Sequence, residues 1–306
     1  MRLGVAFGWH VHPWEELLAL VRRAEELGYD CAFVDGDTSM LDLRSDAEVL
    51  EGWTASVALL ALTRRIGIGS MRLAHHWNAA RLAQAAATAE RIAPGRLRFL
   101  IAAGDRAIDR RFGLPLGPPG ERVGRLDETL EALGALWRGE SVTRSGRFVA
   151  LDGARVRPAP PGGRIPIWVA ARGPRMLDLV AAHADGWELN LPPVRSRVEA
   201  AAARLAEACR ARGRDPAGIA RSCWIFTRAG RAAPGEALAE FRRLYPWFRE
   251  IPDAEVEPAL VRGSPESCRA RLRELAADLR LELPVVDLSG ASRDATRRTL
   301  EACAPD

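Results

Sequence analysis

The chain has 306 residues, 48% hydrophobic and 27% charged, enough apolar material for one barrel-sized core or two smaller ones. Its 44 positive side chains are all arginine, scattered among 40 acids for a net charge of +4, and the basic stripe with clustered aromatics that nucleic acid requires is absent. No apolar run approaches membrane-spanning length and the five cysteines show no CxxC spacing, so a soluble, cytoplasmic protein with reduced thiols and no membrane partner is expected.

Strand-like and helix-like segments then alternate from end to end. Residues 3–7 read as a first strand and 13–27 as an amphipathic helix that closes at Gly28. A strand at 31–35, a helix at 49–62, a strand at 66–70, a helix at 79–92 and a strand at 97–102 follow, and 121–137 is a long helix. Segment 165–190, IPIWVAARGPRMLDLVAAHADGWELN, packs a strand at 167–171, a helix at 174–184 and a strand at 186–189 into little length. Beyond it come a helix at 196–212, a strand at 222–228, a helix at 235–245, a helix opened by Ser264-Pro265-Glu266, a strand at 283–287 and a terminal helix. Eight strands alternating with helices define an α/β chain, a single (β/α)8 TIM barrel occupying 1–306 as one domain. A doubly wound sheet would place a glycine-rich fingerprint after the first strand, where this chain reads Gly8-Trp9-His10-Val11-His12-Pro13. Residues 105–120, 139–164 and 247–263 exceed the simple repeat and read as loop insertions, with a small hairpin around Gly146.

In such barrels the site forms at the carboxyl ends of the strands. The polar residues there are His10, His12, Asp35, Asp37, Ser70, Arg72, His75, His76, Gly104, Asp105, Arg106, Arg172, Glu188, Asn190, Thr227, Arg228 and Asp287. Four of the five histidines fall on this one face, and histidine suits proton transfer near neutral pH. The turn Arg172-Gly173-Pro174 leads a strand straight into a helix, leaving free N–H groups at a positive dipole end beside a guanidinium, which suits an anion.

Seven pieces in order, RAEELGYDCAFV (23–34), GWTASVALLALTRRIGIGS (52–70), LAQAAATAERIAPGRLRFLIAAG (82–104), ERVGRLDETLEALGALWRGE (121–140), IPIWVAARGP (165–174), ADGWELN (184–190) and GSPESCRARLREL (263–275), together resemble the luciferase-like oxidoreductases that use flavin or the deazaflavin coenzyme F420. The resemblance covers nearly the whole chain and implies an eight-stranded barrel with insertions. It implies a phosphate site at Ala171, Arg172, Gly173, Pro174 and Arg175, and a ring-binding loop at Ala103, Gly104 and Asp105. It also implies a ring contact at Ser70 and Met71, where the family often has a non-proline cis peptide, and it adds Asp35 to the coenzyme-binding set. Where many F420-dependent members read Asp-His or Glu-His, this chain reads Asp35-Gly36-Asp37, so the proton falls to Asp37, His76, His10 or His12.

The function expected is hydride transfer from reduced F420, or oxygenation with FMN, on a small organic substrate, in a homodimer, with a separate reductase to supply reduced cofactor. Two alternatives remain at this level. A metal-dependent amidohydrolase would use His10 and His12 with Asp287, but Arg172 and Asn190 stand where its further histidines belong, and no metal ligands are assigned. A non-catalytic flavin-binding protein would keep the barrel alone.

Overall fold

A computed structural model describes residues 1–8, 12–34, 50–104, 112–114, 116–230 and 235–305. The elements in chain order are β1 (Gly4–Phe7), α1 (Trp14–Glu26), β2 (Cys31–Val34), α2 (Gly52–Leu62), β3 (Gly67–Leu73), α3 (Ala79–Ile92), β4 (Leu97–Ala102) and α4 (Pro119–Trp137). A hairpin of β5 (Val142–Ser145) and β6 (Ala150–Ala154) follows, then β7 (Ile167–Ala170), α5 (Pro174–His183), β8 (Gly186–Glu188), α6 (Arg195–Arg210) and β9 (Ala220–Ala229). The chain ends with α7 (Glu236–Leu244), α8 (Asp253–Val256), β10 (Val261–Gly263), α9 (Pro265–Leu279), β11 (Leu283–Asp287) and α10 (Arg293–Ala302).

The parallel order β1-β2-β3-β4-β7-β8-β9-β11 closes through pairing of β11 with β1 and of β9 with β8, which makes a (β/α)8 barrel. Closure also disposes of the doubly wound alternative. Strands such as GVAF and IWVA are apolar without interruption because both faces are covered, one by the barrel interior and one by helices. β10 pairs only with β9 at the rim, and no strand was expected there.

Boundaries moved where side chains reset them. α2 begins at Gly52, three residues later than the periodicity suggests, because the Glu51 carboxylate accepts from the amides of Trp53 (2.8 Å) and Thr54 (2.7 Å). β3 runs on to Leu73, three residues beyond expectation, because β4 pairs with it up to Ala102. Following the registers around the closed sheet, alternate strands supply the inward layers. Ala6, Met71, Ala170 and Trp224 form one, Phe33, Leu100, Glu188 and Val285 lie a step below, and Ala102 and Asp287 stand a step above. Low in the barrel the Trp168 ring lies over Gly186, its register partner, where any side chain would collide with the indole. Among the described residues no helix is long and apolar enough to cross a membrane.

Candidate active site at the carboxyl ends of the strands

Alternation along β3 sorts the expected ring contacts. Gly69, Met71 and Leu73 face the barrel interior, whereas Ser70 and Arg72 face α2. The Ser70 hydroxyl lies 3.0 Å from that of Ser56 and donates to the Gly52 carbonyl at 3.2 Å, while the buried Arg72 guanidinium donates to Ser70, sits 5.3 Å over the Trp53 ring and lies 3.8 Å from Glu51. At the mouth, then, Met71 offers a side chain and Ser70 only backbone. The peptide bonds around Ser70 are trans; among the described residues the one cis bond is Arg157–Pro158, so the cis peptide expected at this strand end is not seen.

After β3 a single turn of 3-10 helix, Ala74–His76, buries His75 and brings the His76 ring within 4.2 Å of it. Gly104 follows β4 with φ +80, and a Cβ there would run into the His75 ring, so glycine is required by both backbone and space. Arg122 of α4 donates to the Gly104 carbonyl, pinning this loop, while Ala103 packs against the outer core.

The Arg172 turn divides its labour. Ala171 is buried with both backbone groups engaged, its N–H on the Glu188 carbonyl (3.0 Å) and its carbonyl on the Trp187 indole N–H (2.8 Å). Arg172 reaches across to the insertion, donating to the Trp247 carbonyl at 3.3 Å, 3.8 Å from Glu250 and 5.5 Å over the Phe248 ring. Gly173 is the N-cap of α5 with extended backbone and nothing within 4 Å of where a Cβ would stand, and Pro174 occupies the first turn. No side chain caps this helix start, and the Arg175 guanidinium lies beside Gly120 at the start of α4. Open amides at a dipole's positive end next to an arginine can hold an anion.

His12 is separated from this group. It is buried on the helix side of β1 beside Phe7, Leu17, Val34 and Ala55, with Nδ1 3.8 Å from Glu16. Burial holds its imidazole below the usual value against the opposing pull of Glu16. His10, Asp35, Asp37 and Asp105 lie outside the described residues.

Tertiary structure adds a cluster that spacing does not assemble. Glu188 is 4% exposed on the inner face of β8, and its carboxylate accepts from the amide of Asn190 (3.0 Å) and from that of Trp224. Burial pushes this carboxyl up to about 7, the charge of Asp287 pushes the same way, and the two amides pull down without prevailing. Asp287 accepts from the Tyr245 hydroxyl and from the Ser289 amide at 2.9 Å. Arg228 closes the cluster, donating to the carbonyls of Asp287 (3.0 Å) and Ser289 (2.6 Å) and to Glu240 (2.8 Å). Glu188 and Asp287 were legible as strand-end residues. The sharper signal was an acid inside the apolar run GWELN, because a buried strand does not carry a carboxylate without cause. Tyr245 arrives from the C-terminal end of α7, just ahead of the insertion, and left no local trace.

A barrel with its polar groups gathered at this end, an uncapped helix start after its fifth strand and a buried acid inside its mouth defines an enzyme-like TIM barrel. The family model of luciferase-like monooxygenases matches residues 1–282, and the chain belongs to that family. An F420-dependent glucose-6-phosphate dehydrogenase of Nakamurella multipartita is 31% identical over 211 residues, covering 63% of this chain and 60% of that enzyme. A 5,10-methylenetetrahydromethanopterin reductase of Archaeoglobus fulgidus is 30% identical over 190 residues, 62% of this chain and 53% of that one. The chain therefore matches less than two thirds of the length of these curated relatives. A solved F420-dependent secondary alcohol dehydrogenase in complex with an F420–acetone adduct has the same fold, with a TM-score of 0.83 at 17% identity over 99% of both chains. Family membership replaces the amidohydrolase alternative.

Proposed function

We propose that the chain works as a single barrel domain, in a cytoplasmic homodimer, as an oxidoreductase that uses reduced coenzyme F420 on a small organic substrate. The observation that carries this reading is the first turn of α5, where uncapped amides, open space at Gly173 and the nearby Arg175 suit a phosphate group. Relatives described as F420-dependent support that coenzyme over FMN, which with a separate reductase to reduce it is the alternative. When bound, F420 supplies a hydride equivalent at its ring. The protein's share is binding and proton handling. Arg172, Gly173, Pro174 and Arg175 hold the phosphate next to Ala171, and Ala103, Gly104, Asp105 and Asp35 flank the ring with the backbone of Ser70 and the side chain of Met71. Ala6, Ala102 and Ala170 present small side chains on the inner face at this end of the barrel. The reacting proton comes from Asp37, His76 or His10, or from the buried acid Glu188, His12 being placed behind β1 and away from the mouth.

Titration of the purified protein with F420 and with FMN, followed by fluorescence and absorbance, tests the reading. Saturable F420 binding weakened by inorganic phosphate is expected; saturation by FMN alone would overturn it.

A further inference from the structure

Resting on the coenzyme reading above, we propose that Glu188 is a catalytic acid at the floor of the barrel mouth, giving its carboxyl proton to the oxygen of a carbonyl substrate. Hydride from the reduced coenzyme forms the new C–H bond, the C=O π pair moves to oxygen, and that oxygen takes the Glu188 proton. The carboxylate left behind regains a proton from water once the alcohol leaves, and the reverse sequence serves oxidation of an alcohol.

Four observations converge on this residue. Glu188 sits one layer below Ala6, Met71, Ala170 and Trp224, and both of its hydrogen-bonded amides, Asn190 and Trp224, lie further toward the carboxyl ends, so its carboxyl is drawn up toward the mouth. Met71 and Trp224 are partly exposed, so the open mouth extends down to their layer. Next to Glu188 on the same inner face is its register partner Ser222, 2% exposed, and two residues on is Trp224; among the described residues the Ser222 hydroxyl and the Trp224 indole N–H have no hydrogen-bond partner. Buried polar atoms of this kind call for an occupant with an oxygen to share. Finally, the groups around Glu188 favour its holding a proton. Among the described residues the charge of Asp287 on β11 acts on it, with its oxygens engaged by Tyr245 and Ser289, the Cys223 thiol of β9 is close enough to feel Glu188, and Arg228 is committed to carbonyls and Glu240. A carboxyl kept neutral in a shielded site can donate where an exposed one cannot.

The test compares wild type with Glu188→Gln, which keeps the shape and loses the acid. Infrared difference spectra between pH 6 and pH 8 should show a buried carboxylic-acid band that is lost as pH rises through about 7 and is missing in the variant. F420 affinity should stay within about twofold, while reduction of small ketones such as acetone falls about 100-fold or more and loses its inflection near neutral pH. A wild-type protein without that band at pH 6, or a variant that retains the rate and the inflection, overturns the assignment. Failure of wild type to bind F420 would instead defeat the coenzyme reading, and the band would still decide the state of Glu188. Should the variant not fold, the wild-type spectra with and without F420 decide: a band that titrates and shifts when the coenzyme binds supports the assignment, and its absence overturns it.

Discussion

Two carboxylates show how one side chain can steady or burden the barrel. Glu25 of α1 accepts the consecutive amides of Arg64 (2.9 Å), Arg65 (2.6 Å) and Ile66 (3.0 Å), tying the start of β3 to the first helix. Partial burial works to raise its pKa, but the three amides outweigh it and the net shift is downward. A depressed carboxyl contributes stability above its unfolded pKa and loses it as pH falls through the folded one. Glu25→Ala should therefore cost about 1–3 kcal/mol at neutral pH and less in acid, which urea melts at pH 7 and pH 3 would check. Glu188 has the opposite sign. Its folded state holds a proton from its ordinary range up to about 7, so stability declines across that window as pH rises and is level above it. Glu188→Gln should flatten this slope and gain on the order of 3 kcal/mol at pH 8 relative to pH 5, since each pKa unit is about 1.4 kcal/mol. An unchanged slope in the variant's denaturation midpoints would count against a raised Glu188.

At the level of elements, the start of α5 carries two demands that a single substitution separates. Gly173 is a weak N-cap, and its backbone and surroundings accept a side chain without strain. Gly173→Asp should leave the melting temperature level or raise it slightly, because aspartate caps better than glycine. The same carboxylate should weaken binding of a phosphate-bearing coenzyme at least tenfold by repulsion, measurable by fluorescence titration with F420. Loss of fold with loss of binding would mean the glycine is structural. Arg172 joins that turn to the segment between α7 and α8, so Arg172→Ala should speed proteolytic cleavage near Trp247 while the barrel stays intact by circular dichroism. The cluster of Phe226, Phe241, Tyr245 and Phe248 is why the segment packs at all: its rings bury one another beside the mouth and bring the Tyr245 hydroxyl to Asp287.

For the molecule as a whole, the coenzyme reading has a thermodynamic consequence. A ligand that binds only the folded state at about 100 times its Kd stabilises by about 2.7 kcal/mol, so F420 should raise the melting temperature by several degrees and FMN should not. Multi-angle light scattering should return twice the 33.4 kDa chain mass; a monomer would remove the dimer from the proposal.

Much of this was legible in the chain itself. The eight barrel strands and the helix after Pro174 follow from short apolar runs, helical periodicity and a cap-and-proline signature, all of which depend on neighbours within a few residues. The uncapped helix start at Gly173-Pro174 is local in the same way. What only the closed barrel decided is which face each strand residue takes and which distant residues meet. Ser70 turned toward α2 because strand alternation admits one inward set, and Met71 took the mouth. His12 went behind β1, while Glu188, Asp287 and Tyr245 came together from positions up to 99 residues apart. The physical reason is that periodicity encodes burial along one segment, whereas the shift in a buried acid's proton affinity comes from charges and amides that closure alone brings near.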